Sequence, residues 1–212
     1  MIAVRGKWQS ITFTSLLTGT FFAISEIYLT KFFDSLLPES NKVNLYHRPG
    51  TITLLSKSGK IIQKLGPSTR EKIQLDMLPK KIEQSFLAAE DRRFYLHHGI
   101  DFWGISRALT TNLKAGRVKE GGSTITQQLA RIVFLSQDRT FTRKIKEASL
   151  ALKTERELTK REILEQYLNN VYLGSSAYGI ADASWVYFSK NPEQLTLAEA
   201  ALIAGLAPAP SL

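Results

Sequence analysis

Gly121-Gly122-Ser123-Thr124-Ile125-Thr126-Gln127-Gln128-Leu129-Ala130-Arg131 reads as the opening of a helix. Two glycines permit close backbone approach. Thr124 and Gln127 have the spacing of a reciprocal cap, in which a hydroxyl and a side-chain amide each satisfy a backbone group. From that start Thr124, Gln128 and Arg131 share one helix face, while Ile125, Leu129 and Ile132 share another. A polar face that begins in free N–H groups and ends in a guanidinium suits a phosphate or pyrophosphate. A capped surface helix with a packed underside has the same spacing, so both readings stand at this point.

The same cap chemistry recurs downstream. Thr159 with Glu162 and Thr196 with Glu199 each precede apolar periodicity, so the chain beyond Pro79 reads as mainly α, with stop signals at Gly174 and at Gly205 with Pro208. Upstream, Thr51 to Leu55 and Lys60 to Leu65 are β-branched or aliphatic runs around Lys57-Ser58-Gly59, the pattern of a hairpin. Further upstream, Trp8 to Leu29 is apolar with Glu26 as its only charge, close to the roughly 20 residues a helix needs to cross a bilayer. Arg5 and Lys7 precede it, which places the N-terminus in the cytoplasm and the rest outside. An amphipathic core helix or a cleaved signal peptide are the alternatives for this segment. The expected organisation is a tail and anchor over 1–30, a linker with the hairpin over 31–77, and a catalytic domain over 78–212.

Composition narrows the partner but not the activity. A net charge of +9 suits an anionic membrane surface, a phosphorylated substrate or a nucleic acid. The chain has no cysteine, which excludes a disulfide framework, a thiolate nucleophile and a thiolate metal site.

Two further stretches carry ionisable groups. In Glu90-Asp91-Arg92-Arg93-Phe94-Tyr95-Leu96-His97-His98-Gly99, a helix opened by Pro79 sets Glu90 beside Phe86, Leu87 and Phe94. Desolvation there raises a carboxyl toward a useful base, and Arg92 and Arg93 pull it back. A solvated ion-pair cluster is the plainer reading. In the stretch from Arg139 to Glu147, Arg143 and Glu147 form an i, i+4 pair, with Phe141, Ile145, Ala148 and Leu152 as the expected buried stripe. That pair is either a carboxylate held among cations or an exposed salt bridge. Phe102, Trp103, Ile105, Leu109 and Leu113 make a further apolar stripe, for which pattern alone favours core packing.

Taken together these segments resemble glycosyltransferase family 51, the peptidoglycan glycosyltransferase domain of class A penicillin-binding proteins and monofunctional transglycosylases. The resemblance runs from about Leu78 to the C-terminus. It includes Glu90-Asp91 with Phe94, His97 and Gly99, then Gly121 through Gln128, then Arg143-Lys144 with Glu147. It continues through Lys160, Ile163, Leu164, Tyr167, Leu168, Asn169 and Gly174 to Tyr187-Phe188 and Leu195 through Ala201.

The resemblance implies a lysozyme-like helical domain with a small membrane-associated jaw, for which the stripe around Trp103 is the counterpart. It implies polymerisation of a lipid-linked disaccharide-peptide into β-1,4 glycan, with release of polyprenyl pyrophosphate. Glu90 and Glu147 would be catalytic, and Asp91, Phe94, His97, Ser123, Thr124, Gln127, Gln128, Arg131, Arg139, Arg143 and Lys144 would bind substrate. No cofactor is required, and a divalent cation, Mg or Mn, is an optional participant beside Glu147 with no ligand set assigned. The implied partners are the lipid-linked precursor, the growing glycan strand, the membrane and a transpeptidase, in a further domain or a separate protein, and no nucleic acid.

Two departures stand out. Ile132 occupies a position where the family usually has asparagine, and the chain ends at Leu212, where family members continue. The transpeptidase signatures Ser-x-x-Lys, Ser-x-Asn and Lys-Thr-Gly are absent from this sequence. The rival readings are a lysozyme-like glycosidase and a non-enzymatic basic scaffold anchored to the membrane. Clustered cations weigh against the first, because a neutral glycosidic bond needs no pyrophosphate cradle.

Overall fold

Most helices of the body start at a side chain that satisfies their first N–H groups. The protein is described by a computed structural model over residues 52–65, 72–135 and 140–208. Two units divide the chain, 1–38 and 39–212. The first, with the expected span from Trp8 to Leu29, lies outside the described residues.

The expected hairpin is present. Strands Ile52–Leu55 (β1) and Ile61–Leu65 (β2) pair antiparallel, with Gly59 at φ +80° in the turn. The remaining elements are helical: Lys80–Glu90 (α1), Phe102–Ala115 (α2), Ile125–Phe134 (α3), Phe141–Glu157 (α4), Lys160–Asn170 (α5), Gly179–Phe188 (α6) and Leu197–Leu206 (α7). Pro79 stands at the cap of α1, and the reciprocal caps at Thr124 with Gln127, Thr159 with Glu162 and Thr196 with Glu199 all form. Among the described residues no helix is long and apolar enough to cross a membrane.

Helix α5 is central. Its Ile163, Leu164, Tyr167 and Leu168 are fully buried and join Ile82 and Phe86 of α1, Ile125 and Leu129 of α3, Ile180 of α6 and Ile203 of α7 in one core. The Phe86 and Tyr167 rings meet edge to face, with centroids 6.4 Å apart. The approach to α1 is fastened to this helix through polar contacts. Asn169 accepts from Ile73 N and donates to Ile73 O, both at 2.9 Å, and Glu165 accepts from Leu75 N at 2.8 Å. The chain leaves α5 through Gly174, Ser175 and Ser176, all at positive φ, and enters α6 at Gly179. A Cβ at Gly179 would lie 2.5 Å from Asn169 O, so this close approach requires glycine.

Two expectations about apolar stripes fail. Along α4 the buried residues are Glu147, Leu150, Ala151 and Thr154, whereas Ile145 and Leu152 are exposed. Glu147 takes a buried place that the apolar pattern does not assign to it, because Arg143 and Lys144 of the preceding turn pair with its carboxylate. On α2 the stripe is not core. Phe102, Trp103, Leu109 and Leu113 are 75%, 67%, 59% and 74% exposed, since Gly104 and Ala108 make the inward face of this helix instead. Ile132, the departure noted above, packs partly buried against the core.

Candidate active site

The first functional stretch is locked onto the second. Asp91 caps the end of α1 and its Oδ2 accepts from Ile125 N at 3.0 Å, the first N–H of α3. His97 Nε2 donates to the same carboxylate at 3.0–3.1 Å. Gly99, at φ +89°, passes so close to α4 that a Cβ would sit 3.0 Å from Ala151 C and O. Its carbonyl accepts from Thr124 Oγ1 at 2.6 Å. Thr124 Oγ1 also accepts from Gln127 N, while Gln127 Oε1 accepts from Thr124 N. The expectation of free N–H groups at this helix start therefore fails for Thr124, Ile125 and Gln127, whose N–H groups are used internally.

Glu90 ends α1 and faces a cleft of about 690 Å³, also lined by Gln128, Arg131, Ser123, Thr124 and Gly122. Gln128 Nε2 donates to Glu90 Oε2 at 2.5 Å, and Tyr167 Oη donates to Gln128 Oε1 at 3.4 Å. Burial raises the Glu90 pKa above its ordinary value. The Gln128 hydrogen bond and the Arg131 charge offset this in part, and the neighbouring Asp91 adds to it. The expected influence of Arg92 and Arg93 is replaced by that of Arg131. Arg92 turns back to the Ala88 carbonyl and Arg93 pairs with Asp101 at 3.2 Å.

Glu147 is 1% exposed and does not line the cleft. Arg143 Nη1 bonds one of its oxygens, and Lys144 Nζ bonds the other at 2.8 Å. Lys144 Nζ also donates to Ser123 Oγ at 2.8 Å, which links this cationic pair to the cleft wall. A hard divalent cation there would need oxygen ligands. Both oxygens of Glu147 are already engaged by cations, and among the described residues no three His, Asp or Glu side chains cluster. As they stand, these contacts leave Glu147 no free oxygen for a metal ion.

The sequence candidates thus fall into separate positions. Glu90, Asp91, Ser123, Thr124, Gln128 and Arg131 line one cleft. Phe94, His97 and Gln127 lie buried behind it, with Lys160 Nζ 4.3 Å over the Phe94 ring centre. Arg139 lies outside the described residues. Arg107 and Lys119 also line the cleft at its rim, and no motif in the sequence singles them out. Asn112 holds that rim: its Oδ1 accepts from Lys119 N at 2.7 Å and Glu120 N at 2.9 Å, and its Nδ2 donates to Glu120 O at 2.9 Å. Tyr167 reads in the sequence as part of an apolar stripe, and it does sit in the core. The available signal was its hydroxyl, which needs a partner once buried.

The transglycosylase family model matches residues 58–212. Penicillin-binding protein 1A of Neisseria flavescens is 48% identical over 175 residues, which cover 82% of this chain and 22% of that protein. Penicillin-binding protein 1A of Escherichia coli K12 is 52% identical over 158 residues, 74% of this chain and 19% of its own length. The chain spans about a fifth of the length of these curated relatives.

Proposed function

This chain belongs to the transglycosylase family, and on that premise we propose that its cleft polymerises a lipid-linked disaccharide-peptide into peptidoglycan glycan chains. The observation that carries the proposal is the pairing of a part-buried carboxyl of raised pKa, Glu90, with the Arg131 cation in one cleft. Glu90 takes the proton of the acceptor sugar 4-hydroxyl as that oxygen attacks the anomeric carbon of the donor. The carbon inverts, a β-1,4 bond forms, and polyprenyl pyrophosphate departs with the bonding electrons.

A base for this step works best with a pKa near the operating pH, and burial moves Glu90 in that direction. Fixed cations aimed at the departing pyrophosphate stabilise charge where it develops. Arg131 is the lining cation that acts on Glu90, and Lys144 reaches the cleft wall through Ser123. Glu147 acts by holding Arg143 and Lys144 in place. A glycosidase reading is disfavoured. It needs a second carboxylate free to act across the bond, and Asp91 and Glu147 are both engaged by internal donors.

The exposed apolar side chains of α2 rest in the bilayer surface under this reading, and the segment from Trp8 to Leu29 anchors the chain with the catalytic domain outside. The product is uncrosslinked glycan, which a transpeptidase would join. The test is incubation of detergent-solubilised protein with lipid-linked disaccharide pentapeptide, followed by gel separation. A ladder of glycan is expected from the wild type and its loss from Glu90→Gln. An equal ladder from a folded Glu90→Gln would overturn the assignment of the base.

A further inference from the structure

We propose that Tyr167 is a positioning residue whose hydroxyl braces, from behind, the Gln128 amide that donates to Glu90. The proposal deepens the reading of Glu90 as the base and rests on it. It assigns Gln128 to the carboxylate rather than to the substrate.

An amide side chain presents a donor on one side and an acceptor on the other, in nearly identical shapes. Packing alone does not choose between its two orientations. In the observed one, Nε2 donates to Glu90 Oε2 at 2.5 Å. In the reverse one, two oxygens would meet at that distance, a geometry acceptable only if Glu90 carries a proton. An ionised Glu90 only accepts, so it selects Nε2, and Tyr167 Oη stands 3.4 Å from Oε1 on the far side of the amide, where it braces that choice. Tyr167 is fully buried, and this burial, together with the nearby Glu90 charge, pushes its pKa well above the ordinary phenol value. It therefore keeps its proton and acts as a donor to Oε1. The phenol ring is itself held by its edge-to-face contact with Phe86, on the helix that ends in Glu90.

The groups that act on Glu90 are few. Asp91 lies beside it, Arg131 reaches it from α3 and Tyr167 faces it from α5. Helix α7, which also packs on α1, carries Glu199 as its single titratable residue, and Lys190 binds that carboxylate at 2.6 Å. The Gln128 amide is thus the one neutral donor bonded to Glu90 among the described residues, and losing its orientation removes support for the ionised carboxylate.

The experiment is a carboxyl ¹³C NMR titration of the full chain labelled at glutamate, with Glu90 assigned through Glu90→Gln, in wild type, Tyr167→Phe and Gln128→Leu. Tyr167→Phe keeps the ring and its contact with Phe86, and melting curves verify folding. The Glu90 midpoint is expected to rise by about half a pH unit or more in Tyr167→Phe, and further in Gln128→Leu. The acid limb of kcat should move by the same amount, with KM nearly unchanged. An unmoved midpoint in Tyr167→Phe overturns the role of Tyr167. A raised KM with an unmoved midpoint in Gln128→Leu makes Gln128 a substrate contact and overturns the proposal as a whole. Since the titration requires no turnover, shifted midpoints in an inactive protein would sink the proposed activity while leaving the Tyr167 relation intact.

Discussion

The Asp91 carboxylate occupies the first turn of the helix that opens at Ile125, accepting from its backbone N–H at 3.0 Å while His97 Nε2 donates to it from the other side. A side chain with this placement joins two segments more than thirty residues apart. Asp91→Ala leaves a helix N–H and a buried ring nitrogen without their partner, so it should lower stability by about 2–4 kcal/mol. Urea denaturation measures this. A variant as stable as wild type but weak in substrate binding would instead make Asp91 a direct contact.

Glu147 differs from the exposed salt bridge that its i, i+4 spacing suggests. It is enclosed with Arg143, whose side chain is 16% exposed, so removing the carboxylate leaves a largely buried guanidinium unpaired. Glu147→Gln is expected to cost about 3 kcal/mol or more, against at most about 1 kcal/mol for a surface pair. Turnover should fall as well, because Lys144 loses its anchor, and added Mg or Mn should not restore it. Thermal melts and initial rates with and without metal decide the matter.

The carboxyl of Glu90 is held in a way that opposes its charge. Its folded pKa lies above the ordinary 4.5, so the folded state binds its proton more tightly than the unfolded chain. The resulting stabilisation is fully present below that ordinary value and is lost as pH rises through the folded one. Glu90→Gln removes the charge, so it should melt with the wild type at acid pH and above it at neutral pH. Its turnover should fall by roughly 100-fold or more. Parallel melting curves from pH 3 to 8, read beside polymerisation rates, check both halves.

The apolar side chains of α2 stabilise little that the described structure contains. Replacing Phe102, Trp103 and Leu109 with serine or glutamine should alter stability by at most about 0.5 kcal/mol per site. Sedimentation with anionic liposomes should fall markedly. Retained liposome binding would place the membrane contact elsewhere.

The helical body and its caps were legible because a threonine followed three residues later by Glu or Gln satisfies backbone groups locally. Thr159 with Glu162 needs no tertiary context to do so. The sides of helices were less legible. Ile145 and Leu152 read as core, yet α4 turns Glu147 inward, because two cations supplied by its own preceding turn make burial of that carboxylate possible. In the site, Glu90 and Gln128 were identifiable as members of known motifs. Their bond to each other was not, since it depends on how α1, α3 and α5 come together.

Asn112 ties the cleft rim at Lys119 and Glu120 to the same helix that displays Trp103. Rim and apolar face are therefore joined through one side chain. If that face rests among lipid headgroups as proposed, the depth to which Trp103 sinks sets the height of the rim above them. Under the proposed function the bilayer would then act as a ruler, setting how far a lipid pyrophosphate has to rise to meet Arg131. Lipids that change headgroup spacing or surface packing would tune the rate of polymerisation without touching any residue in the cleft.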